Sequence, residues 1–187
     1  MNQPGPRVAD VWANYWDAAF FAAYPQMQAL YDRLGMPERA AVTWKMISGE
    51  AESAGVEKIV LSATDFPGAP SNNRTIAELV AATPDRIVGC ASVDPRRGME
   101  GVRELRRAVN EDGLRAYKVL PFLYGAPPND AMYYPYYAAC ADLGIPVLVL
   151  TGHTAVMERS DVGRPLYLDY VALYFRDLTI IAGHAGF

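Results

Sequence analysis

The sequence predicts an α/β protein of the (β/α)8 TIM-barrel type, with only about six βα units carried by this chain. Three observations carry that expectation. Short apolar runs recur, each followed by polar residues and then by a segment of helical period. From the second run onward they start roughly every 28–35 residues, the size of a βα unit. Neither the glycine fingerprint of dinucleotide-binding folds nor a P-loop occurs, which removes the best evidence for a doubly wound nucleotide fold. The alternative is an open six-stranded parallel sheet.

The first strand is expected at Val8–Asn14, VADVWAN. A helical insertion at about 15–54, rich in aromatics and alanine, holds a helix from Pro25 to Leu34 stopped by Gly35. A second helix is expected from about Pro37 to Ala54, stopped by Gly55. VEKIVLSA, Val56–Ala63, is the second strand, and TDFPGAPSNN is a loop whose Asn72 or Asn73 can cap a helix through Ala82. The third strand is Arg86–Val93. Val102, Leu105 and Val109 then give Arg97–Glu111 a helical period, ended by Gly113. Leu114–Leu120 is the fourth strand. PFLYGAPPND reads as a long loop, with Asp130 placed to cap the helix through Leu143 that Gly144 stops. Ile145–Leu150 is the fifth strand, TGHTAVMERSDVGR a second long loop, and Leu166–Phe175 a helix.

The last strand, LTIIAGHAG from Leu178 to Gly186, is apolar throughout, as suits a strand buried on both faces. It ends in His184 between two glycines, at the strand end where parallel folds put their chemistry. Phe187 follows directly. The expectation is one domain over 1–187, a partial barrel that belongs to a longer barrel or is completed by another chain, since a buried-type edge strand is an aggregation hazard.

The chain has 187 residues and a net charge of −4. That balance gives no reason to expect nucleic acid or an anionic membrane as partner. No apolar run approaches the roughly 18 residues that span a bilayer, and MNQPGPRVAD lacks the pattern of a signal peptide. Two cysteines, Cys90 and Cys140, are too few for a disulfide framework. The cytoplasm is the expected compartment.

The run DGLRAYKVLPF, then YYPYYAACADLGIPVLVLTG, then RPLYLDYVALYFRDLTIIAGHAG resembles the amidohydrolase-related family, in its aminocarboxymuconate-semialdehyde decarboxylase and resorcylate decarboxylase branch. The resemblance covers most of residues 56–187. It implies a (β/α)8 barrel, usually with one zinc or manganese ion, acting on small carboxylated or amide-bearing substrates. The family's first-strand metal pair falls on Trp12 and Asn14, and its fifth-strand histidine on Leu150; its eighth-strand aspartate would lie beyond Phe187. Indole and leucine do not ligate metals, and an amide oxygen is a poor substitute for imidazole. No metal or other cofactor is therefore expected. His184 matches the family's sixth-strand acid/base histidine.

His184 is accordingly the first catalytic candidate, because imidazole gives and takes a proton near neutral pH; a lone histidine in an apolar strand is otherwise structural. His153, in TGHT, is a second proton carrier or a loop histidine bonded to backbone. Lys118 sits inside an apolar strand. It is expected to anchor a substrate carboxylate or carbonyl, or to form a Schiff base, against a plain ion pair with Asp65 or Asp94. Asp65 and Asp94 follow strand ends and either orient His184 or Lys118 or turn their own loops. Alternation puts Asp10, Trp12 and Asn14 on one side of their strand, where Trp12 and Asn14 line a remodelled pocket or simply fill a core. Phe122, Tyr124 and the tyrosines through Tyr137 form a substrate lid or a packing cluster. The function expected is a hydrolase or C–C lyase of decarboxylase-like kind, working without the usual metal on a small organic acid or acyl substrate, in a homo-oligomer or with a second chain. The rival is a non-catalytic barrel that binds a partner protein.

Overall fold

The computed structural model describes residues 8–36, 40–66, 68–154, 156 and 158–186. Six strands, β1 (Val8–Asn14), β2 (Val56–Ser62), β3 (Ile87–Ser92), β4 (Ala116–Val119), β5 (Val147–Leu150) and β6 (Ile180–Gly183), form one sheet in chain order. Every neighbouring pair is parallel. A doubly wound sheet reverses its strand order at a switch point, and this sheet does not. β1 and β6 do not pair, yet the Trp12 ring on β1 reaches Gly183 on β6. The sheet is therefore curled into the arc of a barrel, and the open-sheet alternative gives way.

Helices α4 (Asn73–Ala82), α5 (Gly98–Asn110), α7 (Tyr134–Leu143) and α8 (Tyr167–Tyr174) lie in the connections between successive strands. The period-two alternation of each strand divides its side chains between two layers. Ile59, Leu61, Ala91, Val93, Tyr117, Val119, Val147 and Val149 join Ile76, Leu105 and Val171 in the main core. Burying each of the larger aliphatic side chains contributes about 1.5–3 kcal/mol. The opposite face carries Cys90, Ala116 and Leu148 against Trp12, Val60 and Ile181.

The 15–54 segment holds α1 (Ala18–Ala23), α2 (Gln26–Arg33) and α3 (Trp44–Ser53). Asp17 starts α1 by accepting from the Phe20 N–H at 2.9 Å. Phe20, Tyr24, Met27 and Tyr31 bury together with Ala69 and Val156 in a second apolar cluster. That packing sets α1 and α2 against the loops after β2 and β5.

Several expectations need correction. α3 starts at Trp44, because Thr43 is already extended at φ −91, ψ 161; the expected start at Pro37 lies outside the described residues, as does Phe187. Asn72 stands at the start of α4 but makes no side-chain cap. Its amide is used across the loops instead, accepting from Thr64 N at 2.7 Å and donating to Asp17 at 3.1 Å. PFLYGAPPND is not all loop: Pro121–Tyr124 form a short helix, α6, with Gly125 left-handed behind it. Asp130 caps the turn Ala131–Tyr133 that precedes α7. β6 stops at Gly183, and His184–Gly186 form a 3-10 turn. Among the described residues no helix is long and apolar enough to cross a membrane.

Candidate active site

The C-terminal ends of four strands surround a cavity of about 360 Å³. β1 contributes Trp12 and Asn14, Leu120 follows β4, Leu150 closes β5, and His184 follows β6. Trp16 and the insertion helices add Phe20, Tyr24, Met27 and Leu30 on one side. α6 adds Phe122 and Leu123, and the loop after β5 adds His153, Thr154 and Val156. Apolar side chains thus dominate, as in most small-molecule sites.

His184 is exposed and has φ 57, the one non-glycine residue with positive φ among those described. That conformation is costly for a residue with a side chain, so its surroundings must hold it. Thr151, fully buried, does so from both sides. Its hydroxyl donates to the Gly183 carbonyl at 2.6 Å and accepts from the Gly186 N–H at 3.1 Å. The imidazole meets the Trp12 indole edge-on, with ring centroids 5.3 Å apart. It makes no hydrogen bond among the described residues, so both ring nitrogens are free to exchange a proton.

Lys118 is 2 % exposed and donates to Asn14 Oδ1 at 2.8 Å. Burial pushes its ammonium down to about 8, with Cys90 beside it. Burial also pushes the Cys90 thiol up to about 11. Lys118 does not line the cavity; Asn14 stands in the wall and holds it. The alternative, an ion pair of Lys118 with Asp65 or Asp94, is not formed, because both carboxylates are taken by arginines. Asp65 accepts from Arg97 at 3.3 Å and from the Asp94 N–H at 2.9 Å. Burial outweighs those contacts and raises its pKa. Burial would raise Asp94 too, but Arg96 bonds it through Nε and Nη2 and holds its carboxyl below the ordinary value. These two aspartates line a separate cleft with Phe66 and Arg97. They orient neither His184 nor Lys118.

His153 is exposed, lines the cavity, and shares a 2.9 Å hydrogen bond between Nδ1 and Ser160 Oγ. Of the aromatic loop, Phe122 alone enters the cavity wall. Tyr124 donates to the Asp65 carbonyl at 2.7 Å under the Arg96 guanidinium. Tyr133, Tyr136 and Tyr137 are fully buried, and each hydroxyl donates to a backbone carbonyl. The loop is packing rather than a lid, and the covering role falls to α1 and α2. Asp10 does not join Trp12 and Asn14, because the β1 register shifts between Asp10 and Ala13. Its carboxylate instead accepts from the Trp12 N–H at 2.8 Å.

Sequence reasoning missed Trp16, Phe20, Tyr24, Met27, Leu30 and Thr151. The aromatic richness of the insertion was a signal for the first five. Thr151 carried none beyond its place at the end of the fifth apolar run. The Trp16 indole N–H is buried without a partner among the described residues.

The divalent metal implied by the resemblance does not fit this donor set. Trp12 and Leu150 face the cavity without a lone pair to offer, and Asn14 Oδ1 already accepts from Lys118. Among the described residues no three His, Cys, Asp or Glu side chains come together. No step below runs through a metal.

The family model described as "Amidohydrolase" matches residues 9–187. No curated protein matches the chain. Solved structures do. A TIM-barrel protein of Bordetella bronchiseptica superposes with a TM-score of 0.71 at 22% identity, over 95% of this chain and 66% of its own. A 5-carboxyvanillate decarboxylase of Novosphingobium aromaticivorans, with bound manganese, gives 0.74 at 17% identity over 97% and 67%. The 4-oxalomesaconate hydratase of Rhodopseudomonas palustris gives 0.61 at 18% identity over 96% and 63%. These likenesses establish the barrel fold, and the chain spans about two thirds of the length of the structures it matches.

Proposed function

This chain belongs to the amidohydrolase family, and from that premise we propose that it serves as a hydrolase or decarboxylase-like C–C lyase acting on a small organic acid or acyl substrate, in the cytoplasm and without a metal. His184 is its general acid–base. The single observation that carries this reading is the placement of His184: an imidazole without a hydrogen-bond partner among the described residues, held in a strained turn at a barrel strand's C-terminal end, facing an apolar cavity. Strain of this kind gathers at functional sites, and a positioned imidazole is worth roughly 10²–10⁴ in rate. His153 is the second proton carrier at the rim. Lys118 acts through Asn14, which it orients, rather than by touching substrate.

The test is turnover of a panel of aromatic carboxylates and acyl esters by wild type and His184→Gln, with the fold checked by circular dichroism. A loss of about 10² or more is expected; unchanged turnover removes the reading. Elemental analysis accompanies it, and one equivalent of zinc or manganese per chain would overturn the metal-free clause.

A second reading, a non-catalytic barrel bound to a second copy of the chain, has one observation in its favour. Leu166, Tyr170, Leu173 and Tyr174 on and beside α8 are 56–75 % exposed and form one apolar stripe.

A further inference from the structure

We infer that the cavity takes a neutral, largely apolar carbonyl compound of one or two rings, such as an ester, amide or lactone, and disfavours carboxylate-bearing acids. This rests on the reading of the cavity as the active site and narrows the substrate class to the acyl arm of that proposal.

The argument is one of charge and of spent hydrogen bonds. Among the described residues no lysine or arginine lines the cavity. The buried cation beneath it, Lys118, is turned to Asn14 and lies behind the wall. Arg96 is paired with Asp94, Arg97 with Asp65 and Glu100, and Arg159 with Asp161, while Arg164 lines the adjoining cleft beyond His153 and not this cavity. Among the described residues the one carboxylate bonded to a cavity-lining side chain is that of Glu158, which accepts from the Tyr24 hydroxyl at 3.1 Å. Its negative charge adds repulsion for an anion. A carboxylate entering would give up its hydration and find no cation in return, which is the costly case for a buried charge.

The polar atoms at the wall are also mostly engaged. Asn14 Oδ1 accepts from Lys118, and the Tyr24 hydroxyl donates to Glu158. Thr154 Oγ1 accepts from the Glu158 N–H at 3.2 Å, and His153 Nδ1 meets Ser160. His184 remains with a free ring. His184 and the Trp16 indole N–H, which has no partner among the described residues, stand among apolar walls and match a ligand with a carbonyl acceptor on a ring, and a volume of about 360 Å³ suits one or two rings.

The experiment uses the full chain with methyl benzoate and benzoate as matched probes, titrated by calorimetry at pH 8, above the ordinary imidazole range. The ester is expected to bind roughly ten- to a hundredfold more tightly than the anion. Leu150→Arg, which puts a cation in the wall, is expected to reverse that order, and Leu150→Trp to abolish both by filling the space. Benzoate binding as tightly as the ester, or no binding of the ester by wild type, overturns the inference. His184→Ala separates the two claims. It is expected to retain ester binding within about tenfold, the worth of one neutral hydrogen bond. Its turnover reports on the catalytic reading alone.

Discussion

A methyl group at Gly183 would lie 2.7 Å from Cζ3 of Trp12, closer than carbon atoms pack. The indole therefore occupies the place a side chain would take, and the next residue is His184, edge-on to the same ring. Among the described residues the two ends of the curled sheet meet through this indole rather than by strand pairing. Gly183→Ala is expected to cost about 1–3 kcal/mol by overpacking. In a Trp12→Leu background the same change should cost less than half as much. Denaturant unfolding of the four corners of that cycle checks the coupling. Additive losses would show that the indole is not what forbids the methyl group.

Lys118 makes a pH prediction. Its folded-state pKa of about 8 lies below the ordinary lysine value of 10.5. Between these values the unfolded chain holds a proton that the folded chain has released, so this group makes stability rise with pH through that window. Below pH 8 both states are protonated, and the burial penalty is constant, on the order of 3 kcal/mol. Burial of the Cys90 thiol works in the opposite sense above pH 9, so the expected outcome is that Lys118→Met lowers the slope of stability against pH between 8 and 10 relative to wild type, as followed by urea unfolding. A variant with the wild-type slope would show that another group produces it.

Most of the barrel was legible because its signals are local. β1 matches its expected span, and the left-handed glycines 35, 55, 113 and 144 stand at the stops assigned to them. Periodicity found α5, whose Val102, Leu105 and Val109 all bury. The site was less legible because its parts come from distant segments. Lys118 and Asn14 are 104 residues apart in sequence. Nothing local in AYKVLP says that an amide rather than a carboxylate will meet the ammonium. The tyrosines misled for a related reason: ring and hydroxyl look the same in sequence whether the hydroxyl faces a ligand or, as for Tyr137, the Pro128 carbonyl. The register shift in β1 removed Asp10 from a face that strict alternation had given it.

The α8 stripe tests whether a second copy of the chain binds there. Residues 166, 170, 173 and 174 fall on one side of a helix by their spacing. If a second copy covers them, Tyr170→Glu with Leu173→Glu should make the protein monomeric in sedimentation velocity while changing monomer stability by no more than about 0.5 kcal/mol. A wild type that stays monomeric at high concentration would remove the second-copy reading.

The turn at His184 gives the sharpest test of positioning, since the Thr151 hydroxyl closes it from both sides. Thr151→Val keeps the shape and removes both bonds, leaving the Gly186 N–H without that acceptor. A loss of about 1–3 kcal/mol is expected, and Thr151→Ser should restore most of it. If Thr151 matters only for stability, the folded Val variant will turn over substrate normally at low temperature. If it positions the imidazole, kcat falls by about tenfold or more with KM little changed, and the Ser variant recovers both. The strain gives an independent check on the same turn. At φ 57, glycine is favoured over alanine, so His184→Gly should be more stable than His184→Ala by about 1 kcal/mol while both are inactive. Equal stabilities would mean that the turn relaxes once the imidazole is gone, and that the side chain, not Thr151, imposes its shape.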